Sequence, residues 1–223
     1  MAYTDKELAR LAEIRETISE NNRALGFDPE YRATYRDIPA VRELEAMLAK
    51  HTEADDRVVD LEVLELLAKT HMNMSRSGIA ARYYMLFAYL ASALLQETPD
   101  EKMKADLCDV VRNAARLRNN LFGINEDCSD LLAVVAPVLG EEKAAELIKE
   151  GIESVSLKVD PVEVSREYQG AIDEVEKKLD EEFGTGTKMG KCHAVWARKK
   201  ALLAEHDVQW RSPAELYPDI NFD

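Results

Sequence analysis

Hydrophobic residues recur every three or four positions along most of this chain, and that spacing predicts α-helices. The first segment illustrates the pattern, with apolar side chains at Leu8, Leu11, Ile14 and Ile18. Residues 152–159 alternate weakly, but a lone strand there has nothing to pair with. No repeat with a period of about 34 or about 40 residues is present. We therefore predict an all-α fold, an irregular bundle of about eight to nine helices, with a short α-solenoid of helix pairs as the alternative.

Three helix starts stand out because they place capping residues at the required spacing. The tetrapeptides 4–7 and 212–215 begin with Thr or Ser and end with Glu, so each predicts a capping box. The tetrapeptide 98–101 has the same ends and a proline in second position. It predicts an N-cap at Thr98, with the proline opening the helix.

The most apolar stretch, residues 79–95, contains Arg82 and Ser92. It is short for a transmembrane helix, so we predict a central buried helix and expect no membrane association. Residues 1–15 are charged and lack the apolar run of a signal peptide. The chain has three cysteines at no close spacing, which is typical of a reducing compartment. We expect a cytoplasmic protein.

Charge is distributed unevenly along the chain. The whole chain carries a formal net charge of −14, which opposes non-specific binding to nucleic acid and to anionic membranes. Residues 1–183 hold 23 basic and 38 acidic side chains, whereas residues 184–223 hold six and five. We therefore predict an acidic helical body over 1–183, and a glycine-rich loop with a basic C-terminal helix and tail over 184–223. We expect the basic segment to dock on the body as one compact unit.

The glycine-rich loop is a candidate anion site. Glycines and a helix N-terminus leave backbone N–H groups free for an anion, and lysines add positive charge. The residues we select for ligand binding here are Gly186, Lys188, Gly190 and Lys191. A phosphate-binding P-loop is excluded, because Thr185 and Cys192 occupy positions where that motif needs glycine and a hydroxyl residue. A flexible linker whose glycines only turn the chain is the alternative.

Cys192 and His193 are weak candidates for catalysis. A thiol near a helix N-terminus and beside Lys191 can ionise more easily than a free cysteine. Neighbouring residues on a helix point about 100° apart, so His193 does not face Cys192 as a base. The base has to come from His71, His51 or His206. A buried thiol with a hydrogen-bonded core histidine is the alternative.

Metal and cofactor motifs are absent from the sequence. No histidine follows a glutamate by three residues, and neither His-Glu-x-x-His nor Cys-x-x-Cys occurs. We therefore expect no metal site and no cofactor.

A second polar cluster lies after the proline at position 99. Its members share one helical face and are Arg112, Asn113, Arg116 and Asn120. Arginine and asparagine on a concave helical surface can hold a carboxylate or a peptide backbone. We expect Arg76 and Arg82 to approach the same surface if the helices pack consecutively. The alternative is a solvated face whose arginines pair with the surplus acids.

The C-terminal block also resembles a known group of sequences. The residues that carry the likeness are Gly190, Cys192, His193, Trp196, Lys199, Lys200, Trp210, Ser212, Pro213, Glu215, Asn221, Phe222 and Asp223. They are similar to the ending of a set of uncharacterised bacterial all-helical proteins. The resemblance covers residues 190–223 and implies a bacterial cytosolic source and a tail with a role of its own. It implies no activity.

Together these patterns favour a non-catalytic helical protein that binds a protein partner or a small acidic ligand. An enzyme that uses Cys192 or the segment 184–191 is the first alternative. A weak nucleic-acid binder that uses the basic C-terminal helix is the second, and the overall negative charge disfavours it. The sequence leaves a homo-oligomer open.

Overall fold

The fold is a set of α-helices joined by short links. The computed structural model describes residues 3–24, 37–50, 56–74, 76–122, 128–154, 158–184, 190–220 and 222. Within these residues there is no strand. The helices are α1 (Asp5–Ala24), α2 (Ile38–Lys50), α3 (Arg57–Asn73), α4 (Ser77–Glu97), α5 (Glu101–Phe122), α6 (Ser129–Leu139), α7 (Glu141–Glu153), α8 (Arg166–Phe183), α9 (Cys192–Ala204) and α10 (Pro213–Leu216), with a 3₁₀ turn at Pro161–Val164.

Helix α4 lies at the centre of the fold. It packs against α3, α5 and α6, and α5 also packs against α7, so the helices surround α4. The main hydrophobic core spans α3 to α7, and a second core joins α1, α2 and α3. Alanines on the buried side of α4 let its neighbours approach closely, and they are Ala80, Ala81, Ala88 and Ala91. The all-α prediction is confirmed, and the arrangement fits a bundle.

The apolar stretch that we predicted to be a buried helix forms most of α4. Among the described residues, α4 is long and apolar enough to cross a membrane by length and composition, with a mean hydropathy of 1.3 over its best window. Of that window, 56% is buried inside the protein. A core helix of a protein without membrane spans passes the same test.

A third hydrophobic core joins α8, α9 and the residues that follow α9. The 3₁₀ turn connects this unit to the bundle, because it packs on both α4 and α8. A Cβ added to Gly78 of α4 would lie 2.8 Å from Cγ1 of Val164, so glycine lets the turn sit directly on α4. Trp210, which is 4% exposed, donates from Nε1 to Oε1 of Glu163 in the turn at 2.8 Å.

Local capping decides where the helices begin. Both predicted capping boxes are confirmed: Glu7 and Glu215 accept from the backbone of their N-cap residues at 2.9 Å. The N-cap predicted at Thr98 is wrong. Asp100 occupies that position, because its Oδ1 accepts from the amide of Met103 at 2.7 Å. The backbone N–H of Thr98 closes α4 instead, by donating to the carbonyl of Leu94.

The segment from Asp160 to Phe183 contains two separate helical elements. Residues 161–164 form the 3₁₀ turn, and α8 begins only at Arg166. The division follows from a second cap, because Oγ of Ser165 accepts from the amide of Tyr168 at 3.1 Å. The helical periodicity of the sequence therefore does not reveal the 3₁₀ turn that precedes α8.

Candidate functional site

An interhelical pocket of about 350 Å³ lies between α3, α4, α5 and α7. Most of the residues that line it are polar or charged, and it opens to solvent. The residues that line it are Glu65, Lys69, Tyr84, Asp106, Asp109, Val110, Arg112, Asn113, Arg116, Glu150, Gly151 and Ser154. Three of the four residues that we selected on α5 are therefore brought together in one concavity.

Close packing of α7 on α5 forms one wall of the pocket. A Cβ on Gly151 would clash with the carbonyl oxygen of Arg112 and would lie 2.9 Å from Cβ of Ala115. Only glycine allows the two backbones to approach so closely. The approach brings Glu150 and Ser154, on either side of Gly151, against the polar face of α5.

Arg112 is already neutralised by carboxylates of the protein. Its Nε lies 2.5 Å from Oε2 of Glu150 on α7, and its Nη1 lies 3.0 Å from Oδ1 of Asp109. Lys69 pairs in the same way with Glu65 on α3, at 2.5 Å. A ligand acid would therefore have to compete with these carboxylates for Arg112 or Lys69.

Arg116 differs from Arg112, because no carboxylate of the described residues pairs with it. Its Nη2 donates to Oδ1 of Asn113 at 2.8 Å, and this neutral amide is the one hydrogen-bond partner that the guanidinium has there. Asn113 is held in turn by a bond from its Nδ2 to the carbonyl of Asp109 at 3.0 Å. The guanidinium is half-buried and lies at the pocket wall without a carboxylate partner among the described residues.

Tyr84 supplies a hydroxyl from α4. The residue is 4% exposed, and within the described part of the chain its hydroxyl has no hydrogen-bond partner. Burial raises the pKa of Tyr84, while the charge of Arg116 lowers it and that of Glu65 raises it again. The hydroxyl therefore keeps its proton near neutral pH and can donate to a ligand beside Arg116.

Asn120, the fourth residue selected on α5, lies outside the pocket. It is 7% exposed, and its backbone carbonyl oxygen accepts a hydrogen bond from the backbone amide of Val159 at 2.8 Å. The residues that line the pocket do not include Asn120. The backbone of Asn120 therefore holds the segment that follows α7.

Neither Arg76 nor Arg82 approaches this surface, so that prediction is wrong. Arg82 is exposed on α4. Arg76 is 3% exposed and lies 2.6 Å from Oδ1 of Asp173 and 2.6 Å from Oε2 of Glu176, both on α8. Sequence reasoning missed this buried cluster, because a pair separated by about a hundred residues has no local pattern.

The start of α9 is arranged differently from a reactive thiol site. Sγ of Cys192 donates to the carbonyl oxygen of Phe222 at 2.8 Å, a bond that needs the protonated thiol. His193 is exposed, and its ring packs edge-on against Trp196 with centroids 5.3 Å apart. His206 lies at the other end of α9, about 20 Å away by helical rise. His71 belongs to a different cluster, and His51 is outside the described residues.

Two of the four residues selected for an anion site at this helix are described. Gly190 has a φ of 70°, in the left-handed region that glycine adopts readily, and Lys191 is exposed. Gly186 and Lys188 lie outside the described residues. A helix N-terminus with one exposed lysine does not by itself form an anion-binding site.

The basic residues of α9 are engaged within the C-terminal unit. Arg198 pairs with Glu182 of α8 at 2.7 Å, and Lys200 pairs with Glu215. Lys199 packs inward within this unit. Its Nζ donates to the hydroxyl of Tyr168 at 3.0 Å and lies 4.7 Å from the ring centroid of Trp210.

The described residues contain no group of three or more His, Cys, Asp or Glu side chains that could hold a metal ion. We find no match between this chain and a protein-family model, a curated protein or a solved structure. The resemblance of the C-terminal block to bacterial helical proteins therefore stays a prediction.

Proposed function

We propose that this protein is a non-catalytic binding protein and that its interhelical pocket takes a small ligand through an anionic group such as a carboxylate. The observation that carries the proposal is the state of Arg116. It lines the pocket, a neutral amide orients it, and no carboxylate of the described residues pairs with it. A guanidinium of this kind binds a carboxylate through two parallel hydrogen bonds.

The neighbouring groups fit the same role. Tyr84 offers a protonated hydroxyl beside the guanidinium, so an incoming carboxylate can accept hydrogen bonds from both side chains. Charge-assisted hydrogen bonds of this kind contribute about 1.5–3 kcal/mol each when formed in a protein. Because the chain carries a net charge of −14, long-range attraction of anions is absent and the binding depends on these short-range contacts.

The alternatives have less support. Nucleic-acid binding needs free basic side chains along α9, but Arg198, Lys199 and Lys200 all have partners within the protein. Catalysis by Cys192 needs an ionised thiol, whereas this thiol donates to Phe222. We therefore propose neither activity.

Isothermal titration calorimetry with hexanoate tests the proposal. We expect the wild-type protein to bind hexanoate, and Arg116→Met to weaken binding about tenfold or more, since one charge-assisted contact exceeds about 1.4 kcal/mol. Arg82→Met is the matched control, because Arg82 is an exposed arginine outside the pocket, and it should bind as the wild type does. Equal binding by the wild type and Arg116→Met contradicts the proposal.

A further inference from the structure

The pocket contains seven charged side chains, and five of them form ion pairs with one another. Those five form the pairs of Arg112 with Asp109 and Glu150 and of Lys69 with Glu65. The two that remain are Asp106 and Arg116. Within the described residues, neither has an ion pair. Each is half-buried, so each is a charge with reduced solvation that lacks a partner of opposite sign.

Both residues lie on α5, ten positions apart. Ten residues of α-helix rise about 15 Å. Side chains on a helix lean toward its N-terminus, and Arg116 reaches back to Asn113, one turn nearer to Asp106. The gap between the carboxylate and the guanidinium is therefore on the order of 10 Å, too long for a direct ion pair.

The wall between the two charges is less polar. Val110, which is 4% exposed, follows Asp106 by one turn on the same face of α5. Gly151, which also lines the pocket, contributes backbone and no side chain. A short hydrocarbon spacer can lie along this wall while its two ends reach the two charges.

We propose that the ligand of this pocket is a zwitterion, with an ammonium group on Asp106 and a carboxylate on Arg116, joined by a short apolar spacer over Val110. This inference rests on the proposed function, because it keeps the carboxylate on Arg116 and adds a second recognition point. An ω-amino acid, or a short peptide with free ends, belongs to the chemical class that fits. The ligand would neutralise both unpaired charges at once.

The test is calorimetric titration with three matched compounds: ε-aminohexanoate, hexanoate, which lacks the ammonium group, and hexylamine, which lacks the carboxylate. The homologues γ-aminobutyrate and ω-aminooctanoate cover shorter and longer spacers. We expect the best-fitting ω-amino acid to bind the wild-type protein about tenfold more tightly than the matching acid or amine, a gain typical of one additional charge-assisted contact.

Two variants assign the ends of the ligand. Asp106→Asn should reduce the affinity for the ω-amino acid to that for hexanoate and leave hexanoate binding unchanged. Glu101→Gln, an exposed acid on α5 outside the pocket, is the control and should change neither. Asp106 has no ion pair within the described residues, and thermal unfolding of the variant verifies that the fold is intact.

The outcomes separate the two proposals. If hexanoate and the ω-amino acids bind equally well and Asp106→Asn changes nothing, the zwitterion inference is wrong and the proposed function stands. If hexylamine binds through Asp106 and hexanoate does not bind, the proposed function and the zwitterion inference are both wrong, because each places a ligand carboxylate on Arg116. If none of the five compounds binds the wild-type protein, both proposals fall.

Discussion

Oδ1 of Asn113 accepts a hydrogen bond from Nη2 of Arg116 at 2.8 Å, one helical turn away on α5. The bond fixes the guanidinium against the pocket wall, and Asn113 is itself fixed by the carbonyl of Asp109. A neutral amide orients the arginine without neutralising it. The charge of Arg116 therefore stays available, whereas the charge of Arg112 on the same helix is compensated by the carboxylates of Glu150 and Asp109.

Replacing this amide by a carboxylate should block the pocket. In Asn113→Asp the new carboxylate can pair with Arg116 and compete with a ligand acid, so we expect hexanoate affinity to fall about tenfold or more. Asn113→Ala removes only the orientation of the guanidinium and should reduce affinity about threefold. Calorimetric titration of both variants with hexanoate measures which of them binds more weakly. If Asn113→Asp binds hexanoate as well as Asn113→Ala does, the charge of Arg116 is not the recognition element.

Replacing glycine by alanine should have opposite effects on stability at two positions, Gly151 in the close contact of α7 with α5 and Gly170 in α8. Gly151→Ala should destabilise the protein by about 1–3 kcal/mol, because its Cβ clashes with α5. Gly170→Ala, inside α8, has nothing within 4 Å of the added Cβ and should stabilise the protein by roughly 0.5–1 kcal/mol. Urea unfolding compares the two variants. A stable Gly151→Ala protein would contradict the packing described for this wall.

The buried Arg76 should be one of the strongest links between the bundle and α8. Arg76→Met leaves Asp173 and Glu176 without their buried cation, and we expect a loss of about 3 kcal/mol. Arg42 also pairs with Asp173, at 2.9 Å, but its side chain is 69% exposed. Arg42→Met is therefore the matched control and should cost about 0.5 kcal/mol or less. Similar losses in both variants would mean that burial of Arg76 has no special weight.

His71 predicts a loss of stability in mild acid. It is 2% exposed and stacked on Tyr83, and both ring nitrogens lack hydrogen-bond partners within the described residues. Burial, followed by the charge of Arg76, lowers its pKa to about 3, although Asp173 opposes the shift. Glu45 lies 4.0 Å from Nε2, beyond hydrogen-bond distance.

The folded state therefore keeps His71 neutral, while the unfolded chain takes up a proton below about pH 6.5. The contribution of His71 is fully present above that pH and is lost as the pH falls toward 3, by roughly 1.4 kcal/mol per pH unit. His71→Phe keeps the stacked ring and should remove this contribution to the pH dependence of the free energy of unfolding. Urea unfolding at about pH 7 and about pH 5 measures it. An unchanged slope in His71→Phe would contradict the assignment.

The sequence predicts the parts of this molecule that depend on near neighbours along the chain. The capping boxes at Thr4 and Ser212 need residues only three positions apart, and the shared face of Arg112, Asn113 and Arg116 follows from helical spacing alone. The same spacing placed Asn120 with them. The sequence does not show how far along α5 the pocket extends, and Asn120 does not line it.

What the sequence could not predict depends on contacts between distant segments. The spacing on α5 does not reveal that Glu150 neutralises Arg112 and leaves Arg116 unpaired, because Glu150 arrives from α7. The inward position of Lys199 likewise depends on Tyr168 and Trp210, which flank it in the fold and not in the sequence. Only the tertiary structure distinguishes Arg112, which has carboxylate partners, from Arg116, which has none among the described residues.

Side-chain NMR of the Arg116 guanidinium tests the central claim most directly. In protein with isotope-labelled arginine, titration with ε-aminohexanoate should shift the Arg116 Nε–H resonance in a saturable way, while the resonances of Arg112 and Arg82 change little. A saturable shift confined to Arg116 agrees with a ligand carboxylate on this guanidinium. An unchanged Arg116 resonance at saturating ligand would contradict the account.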